Sequence, residues 1–330
     1  MAQPFTQMDR VTCVVLANSD YKNHTTDEGE QLQQGLRTAG WILSGRHYDN
    51  LVDVRAILDR YQPDIVFAQD VRDWDPASSV AFNKRIGFER VEALRDWHGL
   101  VATVVKDAGT FIDYQCDFAA KIRADAIVHY YHQKSILEPS PWLKSYRLVR
   151  TYHTVDKQLC DHIPIDEPRK KAILTGARSA IYPLRYKARR NCEHLGLDVQ
   201  PHPGYGNRGC HTPKYLETLA GYRVHLATAS RFKFALRKII ESVAMGTTPI
   251  TDLPAYDVLP GIDAALIRVS PDIELDELRT IIDQAADQWD EEKAYFYAHL
   301  ARTIYDWRRM GHLLDEGLKW IQESRDMGIN

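Results

Sequence analysis

Apolar and polar positions alternate along the chain in a pattern that predicts strands separated by helices. Short runs rich in β-branched residues, each bounded by polar or turn-forming residues, are typical of buried strands. In the first half these runs cover residues 11–17, 65–68, 100–106 and 125–131, and residues 27–39 have helical character. Strands that alternate with helices indicate a parallel sheet with helices on its faces.

The same pattern starts again after a polar, proline-bearing stretch at residues 164–168. We expect further strands at residues 170–175, 197–200, 223–227, 248–251 and 265–269. A helix is predicted from Pro183, which suits a first helical turn, to about Leu195. Residues 274–323 are predicted to be almost entirely helical, with a turn near Met310 and Gly311. The chain therefore predicts two successive α/β units with a helical C-terminus.

Composition fits this organisation and excludes several classes of protein. The chain has 330 residues, which suggests two domains at about 150 residues each. Its net charge of -3 gives no overall field that calls for nucleic acid. The five scattered cysteines favour a reducing compartment over a disulfide framework or a zinc site. No apolar run approaches the ~20 residues of a membrane span, and the first ten residues are polar. We expect a cytoplasmic protein.

Residues 238–250 carry the most informative chemistry. The segment predicts a helix that ends at Gly246 and leads into a strand. Lys238 and Glu241 stand three residues apart, so they share a helix face. A cation and a hydrogen-bond acceptor on one face suit a ligand that carries both phosphate and hydroxyl groups, such as a nucleotide-sugar.

A second motif opens the second unit. The strand at residues 170–175 ends at Gly176, and a loop with Arg178 and Ser179 leads into the helix that contains Arg185. Backbone N–H groups at a helix N-terminus bind anions, and arginines add charge-assisted hydrogen bonds. Because ligands of parallel sheets bind at the carboxyl ends of the strands, this loop and the Lys238 helix are expected to meet there.

Residues 170–265 resemble the donor-binding domain of GT-B glycosyltransferases, near the family-1-like and spore-maturation-type group. The resemblance rests on the segments LTGARS and YPLR, the loop at residues 202–206, the strand at residues 222–227 and the run KIIESVAMGTTPITD. It implies two facing Rossmann-like domains with parallel sheets. The expected boundaries are an acceptor-side domain at residues 1–160, a nucleotide-sugar donor domain at residues 169–290, and helices at residues 291–330 that pack back on the first domain.

The resemblance also implies roles for individual residues. Glu241 would accept hydrogen bonds from the nucleotide ribose, and Lys238 and Arg178 would hold the diphosphate. The expected donor-binding set is Gly176, Arg178, Ser179, Arg185, Lys233, Lys238, Glu241, Thr247 and Thr248. Many retaining members of the fold carry a second Glu at the position that Lys233 occupies here. This departure leaves retention or inversion of the anomeric centre open, and a lysine there would serve the phosphate.

Glycosyl transfer needs stabilisation of charge on the leaving diphosphate, which cations and helix N-termini supply. The sequence therefore predicts no metal requirement and no cofactor besides the nucleotide-sugar co-substrate. The D-x-D at residues 73–75 lies in the first unit and is interpreted as a solvated loop. An inverting enzyme also needs a general base. The candidates follow strands of the first unit: Asp107 first, then Asp20 and His24, then Asp70.

The sequence thus predicts a hexosyl or pentosyl transferase that uses a nucleotide-sugar such as a UDP-sugar. The acceptor stays open among a cell-envelope glycan, a small molecule and a hydroxymethylated DNA base of the kind that phage enzymes of this fold modify. The basic run at residues 185–190 keeps DNA among these partners. The alternatives are a non-catalytic nucleotide-binding module on the same fold and a sugar-nucleotide epimerase.

Overall fold

A computed structural model describes residues 11–17, 28–68, 88–105, 109, 112–165, 169–202 and 212–328. Within these residues the strands form two separate sheets, and every strand pair is parallel. Helices connect the strands and cover the sheets. The α/β class and the two-unit organisation expected from the sequence are therefore confirmed.

The first sheet has the order β2-β1-β3-β4-β5-β6. Its strands are β1 (Cys13–Leu16), β2 (Ile42–Ser44), β3 (Ile65–Ala68), β4 (Leu100–Val105), β5 (Ala126–His129) and β6 (Arg147–Arg150). The helices of this part of the chain are α1 (Glu28–Thr38), α2 (Val54–Tyr61), α3 (Ile112–Lys121), α4 (Gln133–Leu137) and α5 (Lys157–Asp161).

The second sheet has the order β11-β10-β9-β7-β8. Its strands are β7 (Lys170–Leu174), β8 (Asp198–Val199), β9 (Tyr222–Leu226), β10 (Thr248–Thr251) and β11 (Ile267–Arg268). The helices are α6 (Pro183–Arg190), α7 (Thr212–Ala220), α8 (Arg237–Ala244), α9 (Leu275–Asp287), α10 (Glu291–Ile304) and α11 (Trp307–Asp326). None of the helices in the described ranges is both long and apolar enough to cross a bilayer.

The sequence does not predict two strands of the first sheet, because neither is a run of apolar, β-branched residues. β2 has only three residues, and β6 has arginine at both ends with all four residues half-buried. Helix α6 is shorter than predicted. It ends at Arg190 because the Asn191 side chain donates a hydrogen bond to the Lys187 carbonyl, at 2.8 Å, and caps the last turn.

The chain passes between the two units at two places, and backbone hydrogen bonds join these two crossing segments to each other. The Val155 N–H donates to the Tyr305 carbonyl at 2.9 Å, and the Trp307 N–H donates to the Val155 carbonyl at 3.1 Å. Helix α10 packs on α8 of the second unit, whereas α11 packs on α1 of the first. The return to the first unit thus takes place between Tyr305 and Trp307.

The turn expected near Met310 and Gly311 is wrong, because both residues lie inside α11. The glycine serves helix packing instead. A Cβ on Gly311 would lie 2.1–2.5 Å from backbone atoms of Gly35 in α1, and a Cβ on Gly35 would lie 2.4 Å from the Trp307 carbonyl oxygen. The two helices therefore cross with their backbones almost in contact, which only a pair of glycines permits.

We predict that Gly311→Ala lowers the free energy of unfolding by at least about 2 kcal/mol, because overpacking a close helix crossing forces the two backbones apart. Gly317→Ala is the control in the same helix. A Cβ there meets no backbone atom and only one side-chain atom, Cγ1 of Val149 at 3.1 Å, and alanine favours the helix by up to about 1 kcal/mol. Urea unfolding of both variants measures the difference. Equal effects from the two substitutions would contradict the close crossing.

Candidate functional site

The carboxyl edge of the second sheet brings together the polar residues that follow β7, β9 and β10. Thr175 and Gly176 follow β7, Thr228 follows β9, and Asp252 follows β10. Helices α6 and α8 also begin at this edge, since each leads away from the end of a parallel strand. Ligands of open α/β sheets bind at this kind of edge, so we treat it as the candidate site.

Gly176 is the point on which two cations converge. Its φ of +100° lies in a region that side-chain-bearing residues rarely adopt. A Cβ on Gly176 would lie 2.8 Å from Arg185 Nη1 and 2.9 Å from Lys238 Cε. The glycine turn, the α6 arginine and the α8 lysine therefore lie together, and their role in donor binding stays a prediction.

Arg185 is held in place although it is almost fully buried, with 2% of its surface exposed. Its Nε donates to the Thr228 hydroxyl at 3.2 Å, and its Nη2 lies 3.4 Å from the Thr228 carbonyl. The guanidinium also lies 3.9 Å from the centroid of the Tyr182 ring, at cation–π distance. These contacts fix a positive charge at the carboxyl edge.

Helices α6 and α8 both present the ends that attract anions. The N-cap residues are Tyr182 and Leu236, neither of which caps its helix with a side-chain hydrogen bond. Neither helix has an acidic residue in its first turn. The first N–H groups and the positive ends of the two helix dipoles thus add to the charges of Arg185 and Lys238. The edge is suited to a group with more than one negative charge, such as a diphosphate.

A buried chain of hydrogen bonds links the residues beneath these cations. The Ser242 hydroxyl donates to the Lys238 carbonyl at 2.6 Å, so its oxygen accepts from His225 Nδ1, also at 2.6 Å. Burial, followed by the charges of Lys238 and Arg185, lowers the pKa of His225 well below its usual value. The ring is therefore neutral, with its proton on Nδ1.

The other ring nitrogen of His225 continues the chain toward the opposite side of the site. Its Nε2 accepts from the Thr175 hydroxyl at 3.0 Å, and that hydroxyl lies 3.1 Å from the Tyr215 hydroxyl. The Lys238 ammonium lies 5.2 Å from the centroid of the Tyr215 ring. Strands β7 and β9 and helices α7 and α8 are thereby joined under the cations. The motifs of the sequence predict no role for His225, although a histidine inside an apolar strand is a signal of this kind of network.

Glu241 lies on the same helix but is already paired. Its Oε1 is 3.0 Å from Nε of Arg237, and both side chains are more than nine-tenths buried. Nη2 of Arg237 also lies 3.5 Å from the Gln31 oxygen of α1, in the first unit. An ionised carboxylate accepts several hydrogen bonds, so Glu241 can hold Arg237 and still accept from a ligand hydroxyl. The ribose role stays a prediction.

Two further titratable groups border the cations. The pKa of His202 is lowered, first by burial and then by the charges of Lys238, Arg185 and Arg189. The pKa of Asp252 is raised by burial, although its carboxylate accepts from the Ala229 N–H at 2.6 Å and faces the charge of Arg185. Asp252 directly follows a strand, which is the position that could have revealed it in the sequence.

The loop between β9 and α8 crosses to the first unit. A Cβ on Gly109, in the loop after β4, would lie 2.3–2.6 Å from the Phe232 ring. Phe234 stacks on Tyr131 after β5, with ring centroids 4.0 Å apart. The carboxyl edges of the two sheets are thus bridged by aromatic side chains from one loop.

The structure places several predicted donor-binding residues away from the cation pair. Lys233 is exposed, and its ammonium lies 3.2 Å from the Glu138 carboxylate of the first unit, in an ion pair across the two units. Its phosphate role stays a prediction. The Arg178 guanidinium is exposed and lies 5.6 Å from the Tyr186 ring centroid. The Ser179 hydroxyl accepts from the Ile181 N–H at 3.2 Å and shapes the loop that leads to α6.

Thr247 and Thr248 lie at the wrong edge of the sheet for donor binding. The Thr247 hydroxyl donates to the carbonyls of Leu219 and Tyr222, at 2.8 and 3.1 Å. Tyr222 begins β9, so this contact marks the amino edge, opposite Gly176. A helix that starts at the carboxyl edge necessarily ends at the amino edge, and the expectation for these two threonines is corrected accordingly.

The predicted general bases Asp107, Asp20 and His24 lie outside the described residues, as do Asp70 and residues 73–75. Their roles remain predictions. Among the residues that are described, no group of three or more His, Cys, Asp and Glu side chains is arranged to hold a metal ion.

Comparison with known proteins shows likeness of fold without likeness of sequence. No protein-family model matches the chain, and no curated protein matches it. Sucrose-phosphate synthase from Thermosynechococcus elongatus superposes with a TM-score of 0.54 at 12% identity, over 96% of this chain and 100% of that one. A glycosyltransferase from Rickettsia africae gives a TM-score of 0.54 at 12% identity, over 96% and 98%.

A third solved structure is an alpha-glucosyltransferase in complex with UDP and a 13-mer DNA containing a HMU base. It superposes with a TM-score of 0.54 at 10% identity, over 94% of this chain and 98% of that one. Because these proteins match both units and nearly the full length, the chain has the GT-B fold predicted from its sequence.

We predict that Gly176→Ala weakens binding of a nucleoside diphosphate at least about tenfold, because the new methyl group must displace Arg185 and Lys238, and each charged hydrogen bond to phosphate contributes about 1.5–3 kcal/mol. Gly40→Ala is a matched control. Gly40 has a similar φ of +94°, but a Cβ there meets nothing within 4 Å. Calorimetric titration with UDP compares the two variants. A Gly176→Ala protein that binds like the Gly40→Ala protein would contradict the site.

We also predict that binding of a diphosphate raises the pKa of His202, because the anion cancels the field of Lys238, Arg185 and Arg189. The protein should then take up protons on binding below the ordinary histidine pKa of about 6.5, and affinity should rise as the pH falls through that range. Calorimetry in buffers of different ionisation enthalpy measures the uptake. The uptake should be smaller in His202→Asn, which lacks the ionisable ring, and equal uptake in the two proteins would contradict the prediction.

Proposed function

We propose that this chain, which has the GT-B fold, is a nucleotide-sugar-dependent glycosyltransferase. The observation that carries the proposal is the convergence of Arg185 and Lys238 on Gly176, between two helix N-termini without side-chain caps. This arrangement suits a diphosphate whose charge increases as a bond to a sugar breaks. The likeness to solved glycosyltransferases supports the same reading.

The site residues can then be assigned to steps of the transfer. The glycosidic bond of the donor lengthens toward an oxocarbenium-like transition state, and the leaving diphosphate gains negative charge. Lys238, Arg185 and the N–H groups of α6 and α8 are aimed at that charge, and each such donor can lower the barrier by about 3 kcal/mol. Glu241 accepts from the ribose hydroxyls, and Arg237 holds its carboxylate in place.

The first unit supplies the acceptor side in this proposal. Asp107 is the first choice of general base for the acceptor hydroxyl, followed by Asp20 and His24. Gly109, two residues beyond Asp107, contacts Phe232 of the loop that leads to α8. This contact supports a general base in the loop after β4, since it ties that loop to the donor-binding unit.

UDP is the first nucleotide to test, because the alpha-glucosyltransferase that superposes on this chain is in complex with UDP. The transferred sugar is a hexose or a pentose. The acceptor classes are a glycan, a small molecule and a hydroxymethylated base in DNA. The exposed cations Arg178 and Arg190, which lie 5.6 and 5.8 Å from the Tyr186 ring centroid on α6, favour including DNA in the assay.

We predict that Lys238→Met weakens UDP binding by about tenfold to a hundredfold. This change corresponds to the loss of one hydrogen bond to a charged group, which contributes about 1.5–3 kcal/mol. Uridine binding should change little, because the lysine faces the phosphates. Lys171→Met is the control, since Lys171 pairs with Asp283 away from the site. Calorimetric titration with UDP, GDP, ADP, TDP and uridine measures these affinities.

Incubation with the matching sugar donor then separates the possible functions. Slow release of free sugar from the donor, with faster transfer when an acceptor is added, is the expected result for a transferase. Conversion of the donor to an isomeric nucleotide-sugar would indicate an epimerase instead. A protein that binds a nucleotide but neither hydrolyses nor converts any donor would be a binding module, and one that binds none of the four diphosphates would overturn the proposal.

A further inference from the structure

Helix α11 has a second apolar face that points away from the protein. Leu314, Leu318 and Ile321 are buried in the core of the first unit. On the outside, Leu313 is 46% exposed, Trp320 is 67% exposed, and Met327, directly after the helix, is 66% exposed. Residues seven apart lie nearly two helical turns apart and therefore fall on one line. An exposed line of three large apolar side chains is unusual for a protein surface in water.

Charged residues on the same outer face are arranged in a fixed order. Arg309 is exposed near the beginning of α11, whereas Glu316, Glu323 and Asp326 are exposed in its second half. We call this surface the outer stripe, and it consists of Arg309, Leu313, Glu316, Trp320 and Glu323. Arg309 at its positive end and Glu323 at its negative end are about fourteen positions, or about 21 Å, apart along the helix.

We propose that the outer stripe binds the outer stripe of a second copy of this chain, with the two α11 helices antiparallel. A two-fold axis beside Glu316 places Arg309 of each copy next to Glu323 of the other and Leu313 next to Trp320. A two-fold interface must be complementary to itself, so that each contact occurs twice. A stripe with a basic start and an acidic end meets this condition only in the antiparallel arrangement.

A second copy fits the stripe better than a lipid surface does. Membrane-binding helices combine apolar residues with lysine and arginine on the polar border. Here Glu316 stands between Leu313 and Trp320, and Glu323 and Asp326 follow, all exposed. These carboxylates would be repelled by anionic headgroups, whereas Arg309 of a second copy can pair with Glu323.

Glu316 weakens the proposed dimer, whereas the pairs of Arg309 and Glu323 stabilise it. Glu316 lies beside the two-fold axis and faces the Glu316 of the second copy, so the two carboxylates repel each other. The repulsion disappears when the carboxylates are neutral. The dimer is therefore stronger for Glu316→Gln than for the natural sequence, and a side chain with a purely local role in one subunit would not produce this effect.

Sedimentation velocity of the full chain across the micromolar range tests the proposal. The expected result is a concentration-dependent shift from the 37.9 kDa monomer to a species of twice that mass. Trp320→Glu should raise the dissociation constant at least about tenfold, as loss of a central aromatic contact does. Phe296→Glu is the matched control, because Phe296 is also an exposed aromatic residue, on α10. Circular dichroism confirms that each variant is folded.

A charge exchange tests the antiparallel pairing itself. Arg309→Glu and Glu323→Arg should each weaken the dimer, and the double variant should restore it, because the two changes exchange the partners of one ion pair. A chain that stays monomeric at all concentrations would overturn the proposal. So would a dimer that survives Trp320→Glu, or a monomer that sediments with anionic vesicles through Trp320, which would assign the stripe to a lipid surface.

Discussion

The missing side chain at Gly176 is the constraint on which the candidate site depends. Two cations on different helices can approach the same turn only because no Cβ stands between them, and the backbone there has a positive φ of +100°. Arg185 and Lys238 repel each other at this range, and burial increases the repulsion because little water screens it. An anion of double charge between them removes this cost, so the turn favours such a ligand before any specific contact with sugar or base is considered.

The surroundings of the turn maintain this arrangement without adding charge. His225 is neutral and connects Ser242 on one side with Thr175 on the other. The hydrogen-bonded chain therefore passes under the two cations without carrying a charge, and each of its bonds has a defined donor and acceptor. A protonated ring at this position would add a third positive charge. Because burial keeps the ring neutral, the site retains its geometry over the physiological pH range.

The parts of the site that local patterns encode could be read from the sequence. β3 and β10 have the predicted bounds, and Gly176, Arg185 and Lys238 meet as expected, because each lies at a strand end or in a first helical turn. Lys233, Thr247 and Thr248 could not be placed in this way. The position of Lys233 depends on Glu138 of the other unit, and the threonines depend on which edge of the sheet a helix reaches. Gly311 likewise resembled a turn because its partner Gly35 is 276 residues away in the sequence.

The second unit is an insertion within the first, because the chain leaves the first unit near Val155 and returns to it at Trp307. The core of the first unit contains Leu314, Leu318 and Ile321, so one face of its sheet remains only partly covered until α11 has been synthesised. The core of the second unit, by contrast, is completed by α9 and α10, which precede α11 in the chain. During synthesis the core of the unit that starts last is therefore completed first, and the core of the unit that starts first is completed only by α11.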